Sequence, residues 1–343
     1  MTDPLSRQRL LEILTQARSL RIGVIGDLTL DGYWYADMKR SQISRETPLF
    51  PRPIVREVYS CGGAANVVWN LCAIGVKPVI AFSIFGQDWR AQILGELLQN
   101  LGVDTSSILT SPDWSTPFYG KVILTSGHLS QEDSRVDFVN PQPLPQPAEA
   151  ALLTELDRRL PGLDALVIAD YQANGVMTPR IIAHLNEIAS AKHSLFIADS
   201  RERIGAYHKM ILKPNEIEAR GLLFNSTSEQ QVNSEGLISA IQTYQETQGH
   251  PLFMTLGAEG CLVFHEGSTL PVPAVPISGA IDPVGAGDTF LSALAVALAA
   301  GASPLEAASL GCLAAGVSVQ KVGVTGTANP DEILSIYDRI NRS

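Results

Sequence analysis

Residues 164–200, DALVIADYQANGVMTPRIIAHLNEIASAKHSLFIADS, hold two short apolar runs, each ending on an aspartate, Asp170 and Asp199. Such runs suit strands buried on both faces. Between them TPRIIAHLNEIASA (178–191) spaces its apolar residues three and four apart, as one face of a helix does. A strand, a helix and a strand in this order join parallel strands by a crossover. The alternation continues outward, with strand-like RIGVIG and PVIAFSIFG upstream and KMILKP and PLFMTLG downstream. DWRAQILGELLQNLG (88–102) supplies another helix. The pattern predicts an α/β fold with a mostly parallel sheet covered by helices on both faces. Ligands of such folds gather at the carboxyl ends of the strands. Asp27, Asp170, Asp199 and Asn215, which follow these runs, are therefore the first polar residues to weigh.

The chain has 343 residues, 45% hydrophobic and 17% charged, which suits one large α/β domain over 1–343. A net charge of -10 argues against a nucleic-acid or anionic-membrane surface. It does not exclude a small anion held by backbone amides. Cys61, Cys72, Cys261 and Cys312 lack metal-binding spacing and read as buried thiols of a reducing cytoplasm. The opening 20 residues carry charges throughout and read as an amphipathic helix, not a signal peptide. The most apolar stretch, 291–319, is broken by Gly301, Pro304, Glu306 and Gly311, so no membrane span is expected. Two turn-rich stretches, 32–60 and 116–140, interrupt the alternation. They read either as a small projecting sheet or as decorated surface loops. PQPLPQP (141–147) then connects to the next helix.

The chain has no GxxxxGK[ST], GxGxxG, HExxH or GxSxG. It does have IDPVGAGDTF at 281–290, running into the apolar LSALAVALAAG. Gly285, Ala286 and Gly287 fall where that helix begins, so amides there lack helical partners and the dipole favours an anion. Asp288, in the first turn, is placed either to take a proton from an attacking hydroxyl or only to cap the helix. Hydrogen bonds and the dipole would favour its ionised form.

IDPVGAGDTFLSALAVAL resembles the C-terminal signature of the ribokinase/PfkB carbohydrate kinases, D-[TP]-x-G-A-G-D. The resemblance implies a ribokinase-like three-layer sandwich with a small β lid, and phosphoryl transfer from ATP to a sugar hydroxyl. It makes Gly285, Ala286 and Gly287 an anion hole and Asp288 the base. It assigns Asp282 to a monovalent cation such as K+. It extends along the chain in order. GGAAN at 62–66 matches the sugar-binding segment through Gly62, Gly63 and Asn66. LKPNEIEA at 212–219 matches NxxE through Asn215 and Glu218, implying Mg2+ held through water. TLGAEGC at 255–261 places Thr255, Gly257 and Gly260 along the nucleotide. Asp31 falls where the family binds sugar hydroxyls. Each piece also has a plainer reading: close packing for GGAAN, a turn and a solvated helix face for Asn215 and Glu218, a turn aspartate for Asp31.

Within the family, GDLTLDGYWYAD, SQISRETPLFP, SRVDFVN and IADYQANGV resemble the heptose-7-phosphate kinases. These phosphorylate the anomeric hydroxyl of D-glycero-D-manno-heptose 7-phosphate. The likeness implies cations for the 7-phosphate, for which Arg45, Lys121 and Arg135 are the candidates, each equally suited to a solvated surface. It adds Asp170 to Asp31 and Asn66 as a sugar contact. There are departures. Gln172, Ala173 and Asn174 stand where the heptose enzymes have a lysine after the tyrosine, and DSRERIG (199–205) replaces their D-P-K-G, keeping a basic group as Arg201 or Arg203. A stand-alone cytoplasmic kinase that dimerises through its lid is the expectation. The alternatives are a kinase of another sugar, sugar phosphate or nucleoside, and a non-catalytic sugar- or nucleotide-binding regulator.

Overall fold

The structure, a computed structural model, describes residues 5–191, 195–223, 233–323 and 325–341. Among the described residues thirteen strands run in chain order: β1 Ile22–Gly26, β2 Leu28–Asp37, β3 Ile54–Gly63, β4 Ile80–Phe85, β5 Ile108–Thr110, β6 Phe118–Ser126, β7 Leu129–Phe138, β8 Ala165–Asp170, β9 Leu195–Ser200, β10 Ile211–Leu212, β11 Leu252–Thr255, β12 Cys261–His265 and β13 Ser268–Val272. Nine form one sheet in the order β13-β12-β11-β10-β9-β8-β1-β4-β5. Its members from β11 to β5 pair in parallel, and β12 and β13 close one edge antiparallel.

The period of two in each strand divides the interior into two cores. In β8, Ala165, Val167 and Ala169 join one, and Leu166 and Ile168 the other. The first packs under the helices Ala64–Ile74, Ala286–Ala299, Pro304–Ser318 and Pro330–Ile340, together with the N-terminal helix Arg7–Gln16. The second packs under Gln146–Arg159, Pro179–Ala191 and Ser234–Gln248. The result is a ribokinase-like α/β sandwich of helix, sheet and helix layers. No helix among the described residues is long and apolar enough to cross a membrane. All four cysteines are buried and free.

A second sheet, in the order β3-β2-β6-β7, occupies the stretches that interrupt the alternation. It begins at Leu28 and its second strand runs to Gly63, wider than 32–60, because LTLD continues the apolar alternation of β1 without a break in composition. Its two faces differ in chemistry. Trp34, Phe118 and Phe138 point one way and form an aromatic cluster with Tyr59 and with Trp89 of the helix Trp89–Asn100. Edge and tilted ring contacts of this kind anchor the sheet to the body. The odd-numbered residues of β2, β6 and the C-terminal part of β7, beyond a register shift at Val122–Ile123, face the other way, across the carboxyl ends of the main strands.

Candidate active site

That second face carries Asp31, Tyr33, Tyr119, Lys121 and Arg135. Their register is set by the ladder, with Asp31 opposite Tyr119, Tyr33 opposite Lys121, and Lys121 opposite Arg135. All five line a cavity of about 220 Å³, together with Gly62, Gly63, Asn66, Arg201, Val284, Gly285, Asp288 and Thr325. The chain is net negative, yet three cations and two carboxylates meet here. Lys121 and Arg135 have partners on β7, Glu132 at 3.1 Å and Asp137 at 2.7 Å. The Arg201 guanidinium has no carboxylate partner among the described residues; it lies 5.1 Å from the Tyr171 ring centre.

Asp31 is the exposed question of the cavity. Its Oδ1 is buried and has no hydrogen-bond partner among the described residues. Gly62 makes room for it, since a Cβ there would lie 2.1 Å from that oxygen. Burial, then the nearby Asp288, pushes the Asp31 carboxyl up to about 7, against the pull of Arg135, Lys121 and Arg201. A hydroxyl donor reaching Oδ1 would satisfy the orphaned acceptor and favour the charged form.

Facing Asp31 is the start of the Ala286–Ala299 helix. Gly285 caps it in the left-handed region at φ 79°, and a Cβ there would come within 2.9 Å of Asn66 Nδ2 and Thr325 Cγ2. The Ala286 amide is taken by the Pro283 carbonyl at 3.1 Å, so Ala286 does not present its N–H as the motif suggested. The amides of Gly285, Gly287 and Asp288 have no acceptor among the described residues. A Cβ on Gly287 would meet no atom within 4 Å. Among the described residues nothing therefore requires glycine at 287.

Asp288 is partly buried in the first turn. Asn66 Nδ2 donates to its Oδ2 at 2.7 Å and the Tyr171 hydroxyl reaches its Oδ1 at 2.8 Å. Asn66 is itself oriented, because Asn70 Nδ2 donates to its Oδ1 at 3.2 Å. The sequence favoured an easily ionised Asp288; the structure reverses the sign. Burial raises its pKa by more than the Asn66 and Tyr171 hydrogen bonds lower it, and Asp199 adds to the rise. A base with a raised pKa accepts a proton more readily, so the reversal suits proton abstraction.

Behind Asp288, Tyr171 also approaches Asp199 Oδ2 at 3.0 Å, and Lys213 Nζ meets that same oxygen at 3.0 Å. Burial opposes the Lys213 charge, but Asp199 and Glu218 hold its pKa above the ordinary value. Asn215 and Glu218 cap each other: the Glu218 amide donates to Asn215 Oδ1 at 2.9 Å, and the Asn215 amide to Glu218 Oε2 at 2.8 Å. The β-bridge from Asn215 to Thr255 brings the end of β11 alongside, with Gly257 and Gly260 bounding the turn that follows. Burial, then Asp199, raises the Glu218 pKa. No group of three or more His, Cys, Asp or Glu among the described residues is built to hold a metal alone. The Glu218 carboxylate, held through one oxygen by the Asn215 amide, fits a magnesium ion that relies mainly on water and substrate oxygens. Asp282 pins its own loop, accepting from the amides of Val284 at 3.1 Å and Gly323 at 3.0 Å.

Two expected contacts lie elsewhere. Asp170 is buried beneath the cavity and does not line it; Arg203 forms an ion pair with it, and Ser200 at 2.7 Å and Tyr207 at 3.0 Å hydrogen-bond to it. Its charge is spent inside the fold. Arg45 lies on an exposed loop outside the lining. Tyr33 and Tyr119 were missed, though each is two residues from a residue the sequence singled out, Asp31 and Lys121, and so shares its strand face. Tyr171 and Arg201 follow the strand-ending Asp170 and Asp199 at one and two residues. Thr325 carries no sequence signal.

Residues 53–332 match the pfkB family of carbohydrate kinases. Among curated relatives, the bifunctional protein HldE of Trichlorobacter lovleyi is 31% identical over 335 residues, covering 96% of this chain and 65% of that protein. HldE of Hyphomonas neptunium is 31% identical over 340 residues, covering 98% and 68%. The chain thus spans about two thirds of the length of these relatives. Among solved structures, Escherichia coli phosphofructokinase-2 in complex with potassium superposes at a TM-score of 0.72, with 20% identity, covering 94% of this chain and all of that one. Thermotoga maritima ribokinase superposes at 0.66, with 22% identity, covering 93% and 99%. At these identities the structures establish the fold.

The two glycines at the helix start should respond oppositely to alanine. Gly285→Ala, at positive φ and against Asn66 and Thr325, should lower the thermal midpoint by several degrees, on the order of 1–2 kcal/mol. Gly287→Ala should leave it unchanged or slightly higher. Calorimetry of the two variants checks both, and an equal loss would mean that the two positions are constrained alike.

Proposed function

The chain belongs to the pfkB family of carbohydrate kinases, and from that premise we propose that its acceptor is a sugar phosphate, D-glycero-D-manno-heptose 7-phosphate, phosphorylated at its anomeric hydroxyl. The observation that carries this reading is the single cavity in which Lys121, Arg135 and Arg201 converge opposite Asp31 and Asp288. An unphosphorylated sugar has no use for three cations, whereas a phosphate pairs with them by charge-assisted hydrogen bonds. The similarity to the HldE proteins supports the same choice.

The enzyme is an ATP-dependent kinase, and its residues suggest roles in order. Asp31 accepts from a sugar hydroxyl at its unpartnered Oδ1. Asp288, with Asn66 and Tyr171 fixing its two oxygens, receives the proton of the attacking hydroxyl. The new bond forms between that sugar oxygen and the γ-phosphorus as the bond to the ADP oxygen breaks. The amides of Gly285, Gly287 and Asp288, at the positive end of the helix dipole, hold the charge spread over the migrating group. Magnesium bound with ATP would neutralise the phosphates, with Glu218 reached through water. Asn215, Thr255, Gly257 and Gly260 line the nucleotide side. Asp282 is our candidate for a potassium contact, as its loop leads directly into the Gly285 cap.

A cytoplasmic enzyme fits four free buried thiols. A homodimer through the edges of the second sheet fits their exposure: β7 is exposed along its whole length, and Ile54, Val55, Val58 and Val136 are exposed apolar residues of the edge strands. Covering the cavity, that sheet would act as a lid that keeps water from the γ-phosphate.

Asp288→Asn should lower kcat by about a hundredfold or more with little change in KM. It is measured as ADP release with the heptose phosphate and a panel of other sugars, sugar phosphates and nucleosides; equal rates would remove the assignment of the base. Neutralising Lys121, Arg135 and Arg201 one at a time should raise KM for the phosphorylated acceptor about tenfold or more. If the best acceptor is unphosphorylated, or KM does not move, the sugar-phosphate reading fails. Sedimentation velocity should show a dimer that Val58→Asp together with Val136→Asp dissociates; a monomeric parent protein contradicts the lid interface.

A further inference from the structure

Resting on the reading of Asp288 as the base, we propose that Tyr171 is a positioning residue for it, its one hydroxyl proton being directed onto Asp288 by the Asp199–Lys213 pair behind. The phenol oxygen stands between two carboxylates, 2.8 Å from Asp288 Oδ1 and 3.0 Å from Asp199 Oδ2. A phenol has one proton and can donate to only one of them. Asp199 Oδ2 already receives Lys213 Nζ at 3.0 Å, and both side chains of that pair are almost fully enclosed, at 4% and 7% exposure. A charged donor satisfies Asp199 better than a phenol does. Tyr171 is therefore left to serve Asp288.

The consequence for the base is geometric. Asn66 fixes Oδ2 and Tyr171 fixes Oδ1, so the plane of the carboxylate is set by donors on two separate elements. Each oxygen keeps a second acceptor site for the incoming hydroxyl proton. The holder is itself held. The amides of Tyr171, Gln172 and Val176 donate to the buried Asp27 carboxylate at 3.3, 3.2 and 2.7 Å. On the preceding residue, Asp170 is fixed by Arg203, Ser200 and Tyr207. This explains what two aspartates that never reach the cavity accomplish: they fix the loop that carries the phenol. Burial and the two carboxylates raise the Tyr171 pKa well above its ordinary value, so it remains a donor throughout the working range.

The groups facing Asp288 are Asn66, Tyr171, Asp199 and Lys213, with Asp31, Lys121, Arg135 and Arg201 across the cavity. Of these the phenol is the one whose proton can be removed without changing a charge or a ring. Tyr171→Phe should lower kcat about tenfold and leave KM for ATP and for the best panel acceptor nearly unchanged. The removed hydrogen bond favoured the ionised carboxylate, so the Asp288 pKa should rise further, and the acid limb of kcat should move up by about one pH unit. In an Asp288→Asn background the same substitution should produce no further loss, because the group it positions is gone. A readout free of turnover is the carboxyl 13C titration of Asp288 by NMR, assigned with Asp288→Asn, whose midpoint should rise by the same step in Tyr171→Phe. An unmoved midpoint, or an equal loss in both backgrounds, overturns the proposal. If Asp288→Asn is impaired and Tyr171→Phe is not, only this inference falls; if Asp288→Asn turns over normally, the reading of the base falls with it.

Discussion

Burial opposes the charge of Asp288, and the two donors on its oxygens are what make that position tenable as a carboxylate. The rest of the architecture follows from supplying them. Asn66 comes from the first turn of one helix, oriented by Asn70 one turn on. Tyr171 comes from the loop after β8, and Asp199 and Lys213 from the ends of β9 and its neighbour β10. A parallel sheet brings the carboxyl ends of these strands to one edge, which is why the Asp288 carboxyl, its donors and their supporting ion pair lie together although 222 residues separate Asn66 from Asp288. The helix contributes its free amides at the same edge, which favours negative charge in front of Asp288, while burial resists it on the carboxyl itself.

The second sheet completes the cavity by alternation alone. Its even-numbered aromatics lock it onto the helix Trp89–Asn100, which leaves the odd-numbered polar residues no direction but the main sheet. A shift of one residue in that register would exchange the faces, placing Lys121 and Arg135 against Trp89 and the aromatics over the cavity. The cations of the cavity and the packing of the sheet are thus one constraint.

Much of this was legible in the chain. Apolar runs ending on Asp170 and Asp199 indicated the parallel sheet, and the Gly285–Asp288 turn indicated a helix start with free amides facing the cavity. What escaped depended on long-range partners. Asp170 looked like a sugar contact through the resemblance of IADYQANGV to the heptose kinases, but Arg203, three residues beyond the next strand end, neutralises it internally. The upward shift of the Asp288 pKa could not be read from its helix position, since burial is a property of the assembled fold. Ala286 shares the motif of its neighbours, yet a turn through Pro283 occupies its amide. Tyr33 and Tyr119 were accessible from strand periodicity once Asp31 and Lys121 were chosen; Thr325 was not accessible at all.

The most direct measurement is a crystal structure with ADP, aluminium fluoride and the sugar acceptor bound together. The account places the fluoride group against the amides of Gly287 and Asp288, with an Asp288 carboxylate oxygen within hydrogen-bond distance of the sugar oxygen in line with the metal. A fluoride group seated away from that helix start, or an Asp288 carboxylate that touches only Asn66 and Tyr171 while another group meets the sugar hydroxyl, would contradict it.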